Sequence, residues 1–210
     1  MGHPIVAALY DRMLARAEHA GLAERRARLL SDLHGEVLEI GAGTGLNLAR
    51  YPETPARLVL AEPDPHMARR LRERLAADPP PFPAEAIEAS AEDLPFGDSS
   101  FDAVVCTLVL CTVDTPARAA TEIARVLRPG GELRLIEHVR DPDSARRARA
   151  QDLLERPWGW VAGSCHPNRD TRATLEAAGF DVSALEPGEF DAAGPLVKPL
   201  ISGSVRPPVG

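Results

Sequence analysis

Val37-Leu38-Glu39-Ile40 runs straight into Gly41-Ala42-Gly43-Thr44-Gly45, and the reading of these nine residues decides the fold. The first four make a short, largely apolar strand. The glycines after it predict a tight turn into a helix reaching about Arg50. Glycine tolerates positive φ and lets a ligand approach the backbone closely, so such a turn at a strand end is a candidate binding site. The same glycines also admit a purely steric reading, because many strand-to-helix connections need one. The dinucleotide pattern GxGxxG would place its third glycine at position 46, which is Leu46 here, and this counts against a pyrophosphate ligand. An acid before a GxGxG turn suits a ligand without phosphates whose amino-acid end carries an ammonium group. Glu39 can attract that group directly or through water.

Outward from this turn the period alternates. Leu58–Ala61 is a second strand ending at Glu62; Asp64 and Pro65 then start a helix lined by Met67, Leu71 and Leu75, which the prolines 79–81 stop. A third strand near Ala86–Glu88 leads to Ser90-Ala91-Glu92, and Phe101–Cys106 is a fourth, buried one. Thr115-Pro116 opens a helix carrying Ile123, Val126 and Leu127, closed by Pro129-Gly130-Gly131, and Glu132–Val139 is a fifth strand. Five short strand–helix alternations predict an α/β fold with a doubly wound, mostly parallel sheet covered by helices on both faces. Residues 4–33 read as two short helices parted at Gly21. Ser144–Glu155 reads as an Arg-rich helix followed by Trp158 and Trp160. Asn168 is placed to cap a helix ending at Gly179, and two further strands are expected from Phe180 onward. The chain is expected to be one domain over 1–210: an N-terminal helical cap (1–34), a cofactor-binding core (35–140), and a lid segment with C-terminal strands (141–210).

Composition narrows the partners. The 210 residues are 44% hydrophobic and 26% charged, as in a globular protein. With 24 basic and 31 acidic residues the net charge of −7 argues against a general nucleic-acid binder, and 4% aromatics leave little for base stacking. The longest nearly apolar run, Ala103–Val113, is too short to span a membrane. The first residues show no signal peptide, and Val6 stands where myristoylation needs Ser or Thr. The three cysteines (Cys106, Cys111, Cys165) are an odd number without a CxxC, which suits reduced thiols in a cytoplasm. The expectation is a soluble, cytoplasmic protein with a small-molecule partner, no nucleic acid and no membrane span.

Glu62, at the end of the second strand, can accept both hydroxyls of a ribose. Ser90, the Ala91 backbone and Glu92, after the third, can address an adenine. Each has a bland alternative as a surface acid or a polar loop, but the succession Glu39, Glu62, Ser90-Ala91 at the ends of strands one to three is harder to obtain by accident. Together with Ala91–Phe96 and Leu127-Arg128-Pro129-Gly130-Gly131, these residues resemble the class I S-adenosylmethionine-dependent methyltransferases. The resemblance is strong over about 35–140 and loose elsewhere. It implies S-adenosyl-L-methionine as cofactor. It also implies a seven-stranded sheet of order 3-2-1-4-5-7-6 with strand 7 antiparallel, and cofactor-binding roles for Glu39, Gly41, Gly43, Thr44, Gly45, Glu62, Ser90, Ala91, Glu92 and Thr107.

Val105–Cys111, Ile136-Glu137-His138-Val139, Gly163-Ser164-Cys165-His166 and Arg169-Asp170-Thr171 further resemble the methyltransferase-like protein seven group, whose members methylate thiols. The N-terminal hydrophobic anchor of the animal members is not expected here, so their membrane attachment is not carried over. The resemblance implies methyl transfer to a small molecule, with a thiol as the narrower expectation. The acceptor is expected among Tyr10, Leu108, Cys111, Trp158, Trp160, Cys165 and His166, with His138 as acid/base candidate; ordinary packing is the alternative for each. Cys165-His166 suggests nucleophilic catalysis, but adjacency in sequence does not set a thiol against an imidazole. The cysteines and the six histidines show no metal-ligand spacing, so no metal is expected. The competing readings are methyl transfer to a quinone carbon or a phospholipid amine, a nicotinamide-dependent oxidoreductase, and a cofactor-binding protein without turnover.

Overall fold

The computed structural model describes residues 14–162, 164–190 and 193–207. Strands β1 (Gly35–Ile40), β2 (Pro55–Ala61), β3 (Ala84–Ile87), β4 (Phe101–Thr107), β5 (Leu127–His138), β6 (Glu186–Glu189) and β7 (Pro199–Val205) form one sheet. Its order is β3-β2-β1-β4-β5-β7-β6. The pairs β1–β2, β1–β4, β2–β3 and β4–β5 are parallel, while β7 runs antiparallel to both β5 and β6, the order and direction that the family resemblance implies. The short link from β6 to β7 permits this reversal, since antiparallel neighbours need no crossover.

Central strands buried on both faces explain the continuous apolar runs. Val37, Leu38, Ile40, Leu58–Ala61 and Val104–Cys106 are wholly covered. One core packs Leu38, Val59, Val104 and Leu133 against Ile123 and Phe180; the other packs Val37, Leu58, Leu60 and Val105 against Leu30 and Leu71. Leu30 comes from α1 (Ala23–Leu30), Leu71 from α2 (Pro65–Ala77) and Ile123 from α3 (Pro116–Val126); α4 (Ala145–Val161) and α5 (Thr171–Ala177) follow along the chain. At the start of α2, the Asp64 carboxylate accepts from the N–H of His66 and Met67 and Pro65 occupies the first turn, as its sequence predicts. Gly21, at φ +112°, breaks the helical path before α1.

Elsewhere the structure departs from expectation for identifiable reasons. After Gly45 there is no α-helix but a single 3-10 turn, Leu48–Arg50. Tyr51 precedes Pro52, which disfavours helical ψ there, and Tyr51 is extended. Helix α3 stops at Val126, and Leu127 joins β5 opposite Phe101. Pro129 just beyond disfavours another turn, so Leu127 is sheet core rather than helix face. Helix α4 does not end at Glu155 but continues through Pro157 and both tryptophans to Val161. Asp170, not Asn168, caps α5 by accepting from Ala173 N–H at 3.0 Å; the Asn168 amide instead donates to Asp152.

β1 and β4 lie side by side at the centre of the sheet, where the strand order reverses. Register sets Glu39 beside Leu60 and Val105, and Ile40 beside Ala61 and Cys106, so the carboxyl ends of β1, β2 and β4 are level. A doubly wound sheet opens a crevice at this place.

Candidate active site

Glu39 is buried to 1% exposure. Its carboxylate accepts from Asn47 Nδ2 at 2.9 Å and from the Tyr51 hydroxyl at 2.7 Å. Burial pushes its pKa up to about 7, against the downward pull of those two donors and of Arg26. Arg26, reaching in from α1, donates through Nη1 to Asn47 Oδ1 at 3.0 Å and to Thr107 Oγ1 at 2.7 Å. Asn47 thus stands between a carboxylate and a guanidinium. The guanidinium is also paired through Nε with Glu18 at 3.0 Å, so the charge this network offers an amino-acid group is the Glu39 carboxylate, suited to its ammonium. Gly41, Gly43 and Gly45 all take positive φ, so the turn requires glycine. At Gly41 the requirement is also steric: a Cβ there would lie 2.5 Å from Val109 Cγ2.

The Glu62 carboxylate is fixed by main chain on both sides. One oxygen accepts from Gly43 N–H at 2.8 Å and the other from Asp64 N–H at 2.9 Å. Burial raises its pKa, and those two N–H groups oppose the rise. Each oxygen keeps a lone pair, which suits two vicinal hydroxyls. Beside it Ala91 is buried, and Ser90 Oγ accepts from Glu92 N–H at 3.2 Å. The Glu92 carboxylate accepts from Thr115 N–H, so it ties the loop after β3 to the start of α3. The turn, Glu62 and the Ser90–Ala91 edge therefore fit S-adenosylmethionine: a buried acid for the ammonium of its amino-acid end, a carboxylate for its ribose, a small buried residue for its adenine.

The ends of β4 and β5 are built differently. Leu108 takes φ +61°, uncommon for a side chain of its kind, and the chain then wraps the carboxylate of Glu137. Glu137 is wholly buried and accepts from the N–H of Val109 (2.6 Å), Leu110 (2.9 Å) and Cys111 (3.3 Å) and from Cys106 Sγ (3.2 Å). Burial raises its pKa, opposed chiefly by the Val109 and Leu110 amides. This wrapping carries Cys111 towards His138, the next residue of β5. His138 Nε2 lies 2.9 Å from Cys165 Sγ, and Trp158 Nε1 donates to the same sulfur at 3.2 Å. A hydrogen bond from Cys111, with further help from His138, pulls the Cys165 thiol down to about 4 against its burial. Burial alone would lower His138, but its bond to Cys165 and the charge there raise it.

The structure brings Cys111, His138, Trp158 and Cys165 together, while Leu108 begins the loop that leads to Cys111 and donates its main-chain N–H to Ile136 O. Trp160 is not part of the group: it is 89% exposed, because two residues along a helix turn a side chain to the opposite face. Cys165 meets an imidazole, but that of His138; His166 pairs through Nδ1 with Glu155 at 2.7 Å and donates its main-chain N–H to Cys111 O. Tyr10 and Gly163 lie outside the described residues. Sequence reading missed Arg26, Asn47 and Tyr51. Asn47 and Tyr51 follow the glycine turn closely and could have been suspected, whereas nothing local to α1 marks Arg26.

Residues 38–135 match the family described as "Methyltransferase domain". The chain is 36% identical over 151 residues to thiol S-methyltransferase TMT1B of Rattus norvegicus, a match covering 71% of this chain and 62% of that protein's length. It is 31% identical over 191 residues to thiol S-methyltransferase TMT1A of Homo sapiens, covering 87% of this chain and 78% of the relative. Among solved structures, a SAM-dependent methyltransferase from Thermotoga maritima superposes with a TM-score of 0.65 at 23% identity, covering 96% of this chain and 94% of that one. That likeness speaks for the fold.

Proposed function

The chain belongs to the class I S-adenosylmethionine-dependent methyltransferases, and from that premise we propose that it methylates the sulfur of a small thiol. The observation that carries this reading is the likeness to thiol S-methyltransferases over most of the chain. The residues at the ends of β4 and β5 agree with it. Glu137 already accepts four hydrogen bonds and is in no position to take a proton from an acceptor. A thiol needs little help, since it ionises near about 8.5, whereas an alcohol would require a strong base.

When bound, the cofactor supplies an activated methyl on a sulfonium. In the proposed arrangement Glu39 orients its ammonium, Glu62 its ribose, and the glycine turn lets its chain lie against the backbone. Glu137 holds the Leu108–Cys111 loop so that the acceptor sulfur approaches in line, and such positioning accounts for most of the acceleration in a transfer of this kind. Among the described residues no helix is long and apolar enough to cross a membrane. The free cysteines suit the reducing cytoplasm that we propose as its location.

The test is turnover of an alkyl thiol, a phenol and a quinol by the purified full chain with S-adenosylmethionine, read as S-adenosylhomocysteine release and product mass. The expected product is the S-methyl thioether. Methylation of the phenol or quinol with every thiol untouched overturns the sulfur assignment.

A further inference from the structure

Three side chains that the sequence keeps far apart bring their ligand atoms together: Cys111 Sγ, an imidazole nitrogen of His138 and Cys165 Sγ all lie within 4.8 Å of each other, His138 Nε2 being 2.9 Å from Cys165 Sγ, and all three residues are buried. We propose that they form a binding site for a soft divalent cation of the zinc type, whose fourth position takes the sulfur of the acceptor thiol. The last part rests on the thiol reading above.

The geometry and the chemistry agree. Tetrahedral zinc with bonds of about 2.3 Å to sulfur and 2.0–2.1 Å to nitrogen needs donor atoms roughly 3.5–3.8 Å apart, so the cluster requires only small adjustments. Two thiolates and a neutral imidazole cancel a divalent charge, which makes burial of the ion acceptable. Each arm is held by main chain. Cys111 gives its N–H to Glu137 and receives His166 N–H on its carbonyl, His138 is the last residue of β5, and Cys165 donates its N–H to Ala162. Trp158 Nε1 addresses the sulfur of Cys165 from outside the cluster. His138 Nδ1 is buried with no partner among the described residues, so what Nε2 binds decides the ring's tautomer.

Among the described residues no fourth His, Cys, Asp or Glu joins the group. Nearby Glu137 accepts from the Val109, Leu110 and Cys111 amides, and His166 is paired with Glu155. Three protein ligands with one open position characterise sites that bind an exogenous ligand, whereas closed four-ligand sites are structural. The cluster sits at the ends of β4 and β5, on the side where the acceptor is expected. On ligation the acceptor thiol gives its proton to solvent. Its sulfur then forms the new bond to the methyl carbon, the donor's carbon–sulfonium bond breaks, and that electron pair returns to the donor sulfur. The neutral thioether product is a weaker ligand and leaves.

The test uses the full chain, stripped with a chelator under reducing conditions and titrated with Co2+ as the probe. One equivalent should bind, with thiolate-to-cobalt charge-transfer absorption that Zn2+ abolishes. Cys165→Ala and Cys111→Ser, checked by circular dichroism for intact folding, should weaken cobalt binding by more than about 100-fold, beyond the loss typical for removing a group that merely supports a ligand. A thiol acceptor should alter the cobalt spectrum, and a phenol should not. A folded, reduced chain that shows no charge-transfer band at saturating Co2+ overturns the site. Formation of a Cys111–Cys165 disulfide in that same chain would mark the pair as redox-active instead. If cobalt binds but thiols leave its spectrum unchanged and the stripped chain methylates thiols at the full rate, acceptor ligation is overturned. If cobalt binds as expected and no thiol is methylated, the thiol reading fails while the metal site stands.

Discussion

At the ends of β1 to β3, the functional carboxylates sit on strand termini and are held mainly from the two turns that directly follow β1 and β2. Glu62 accepts from Gly43 and Asp64, and Glu39 from Asn47 and Tyr51. At the ends of β4 and β5 the polar groups come from three separate segments and hold one another, with His138 and Cys165 27 residues apart and joined across a buried contact. The first half is a local design, a strand followed by a turn, repeated. The second exists only once the sheet has closed and α4 has folded over it. Local designs survive changes elsewhere in the chain, whereas an assembled cluster is as reliable as its least secure segment.

The largest effect is expected where the halves touch. Gly41, on the cofactor side, packs directly against Val109 of the Leu108–Cys111 loop. Gly41→Val forces a β-branched residue into positive φ, at about 1–2 kcal/mol, and overpacks the contact at about 1–3 kcal/mol more. The melting temperature should fall by roughly 5–15 °C, and cofactor binding in calorimetry should vanish. A variant that melts normally and still binds would separate the two halves.

Glu62→Ala tests the cofactor half alone. Each hydrogen bond from a hydroxyl to a carboxylate contributes about 1.5–3 kcal/mol, so the loss of two should raise the dissociation constant by at least about 100-fold. The cobalt titration of the cysteine cluster should not change. A coupled loss of both would show that the halves are not independent.

This division also explains what could be read in advance. The strand order, the Asp64 cap and the acids at the ends of β1 and β2 follow from short-range pattern and from family resemblance, because register carries local features to one edge. Arg26 was invisible, since its role depends on where α1 docks rather than on its own neighbours. The Cys111–His138–Cys165 cluster was invisible for the same reason; its spacing matches no ligand motif, and His166, the imidazole adjacent in sequence, turned out to face Glu155. Trp158 and Trp160 read as a pair in the sequence because the helical pattern of Ser144–Glu155 stops short of them. In a loop both could face the acceptor, but in α4 they cannot.

Glu39 offers a smaller effect with a defined sign. Its folded pKa of about 7 lies above the 4.5 of a glutamate free in water. Between these values the folded chain holds more protons than the unfolded one. Stability from this group is therefore full below about pH 4.5 and declines as pH rises towards 7. Cofactor binding should run the other way, because an ammonium favours the charged carboxylate. Affinity should rise by up to about tenfold per pH unit below 7 and then level off, until the ligand's own ammonium begins to titrate near about 8. In Glu39→Gln the rise below pH 7 should be absent. A wild-type affinity flat from pH 5.5 to 7 would remove the ammonium from Glu39.

The smallest effect distinguishes the tryptophans and sharpens the contrast within the assembled half. Trp158 donates its indole N–H to Cys165 Sγ at 3.2 Å, the last of several influences that lower that thiol's pKa. Phenylalanine at 158 keeps the ring and removes the donor, so the pH midpoint for alkylation of Cys165 in chelator-stripped protein should move up slightly. Phenylalanine at 160 changes an exposed side chain that touches nothing in the cluster, so the midpoint should stay and stability should change by less than about 0.5 kcal/mol. Alkylation followed peptide by peptide in a mass spectrometer reads both variants in one experiment. Equal shifts from the two would mean that the helix turn separating them does not persist in solution. A shift from Trp160 alone would place the wrong face of α4 against the cysteines.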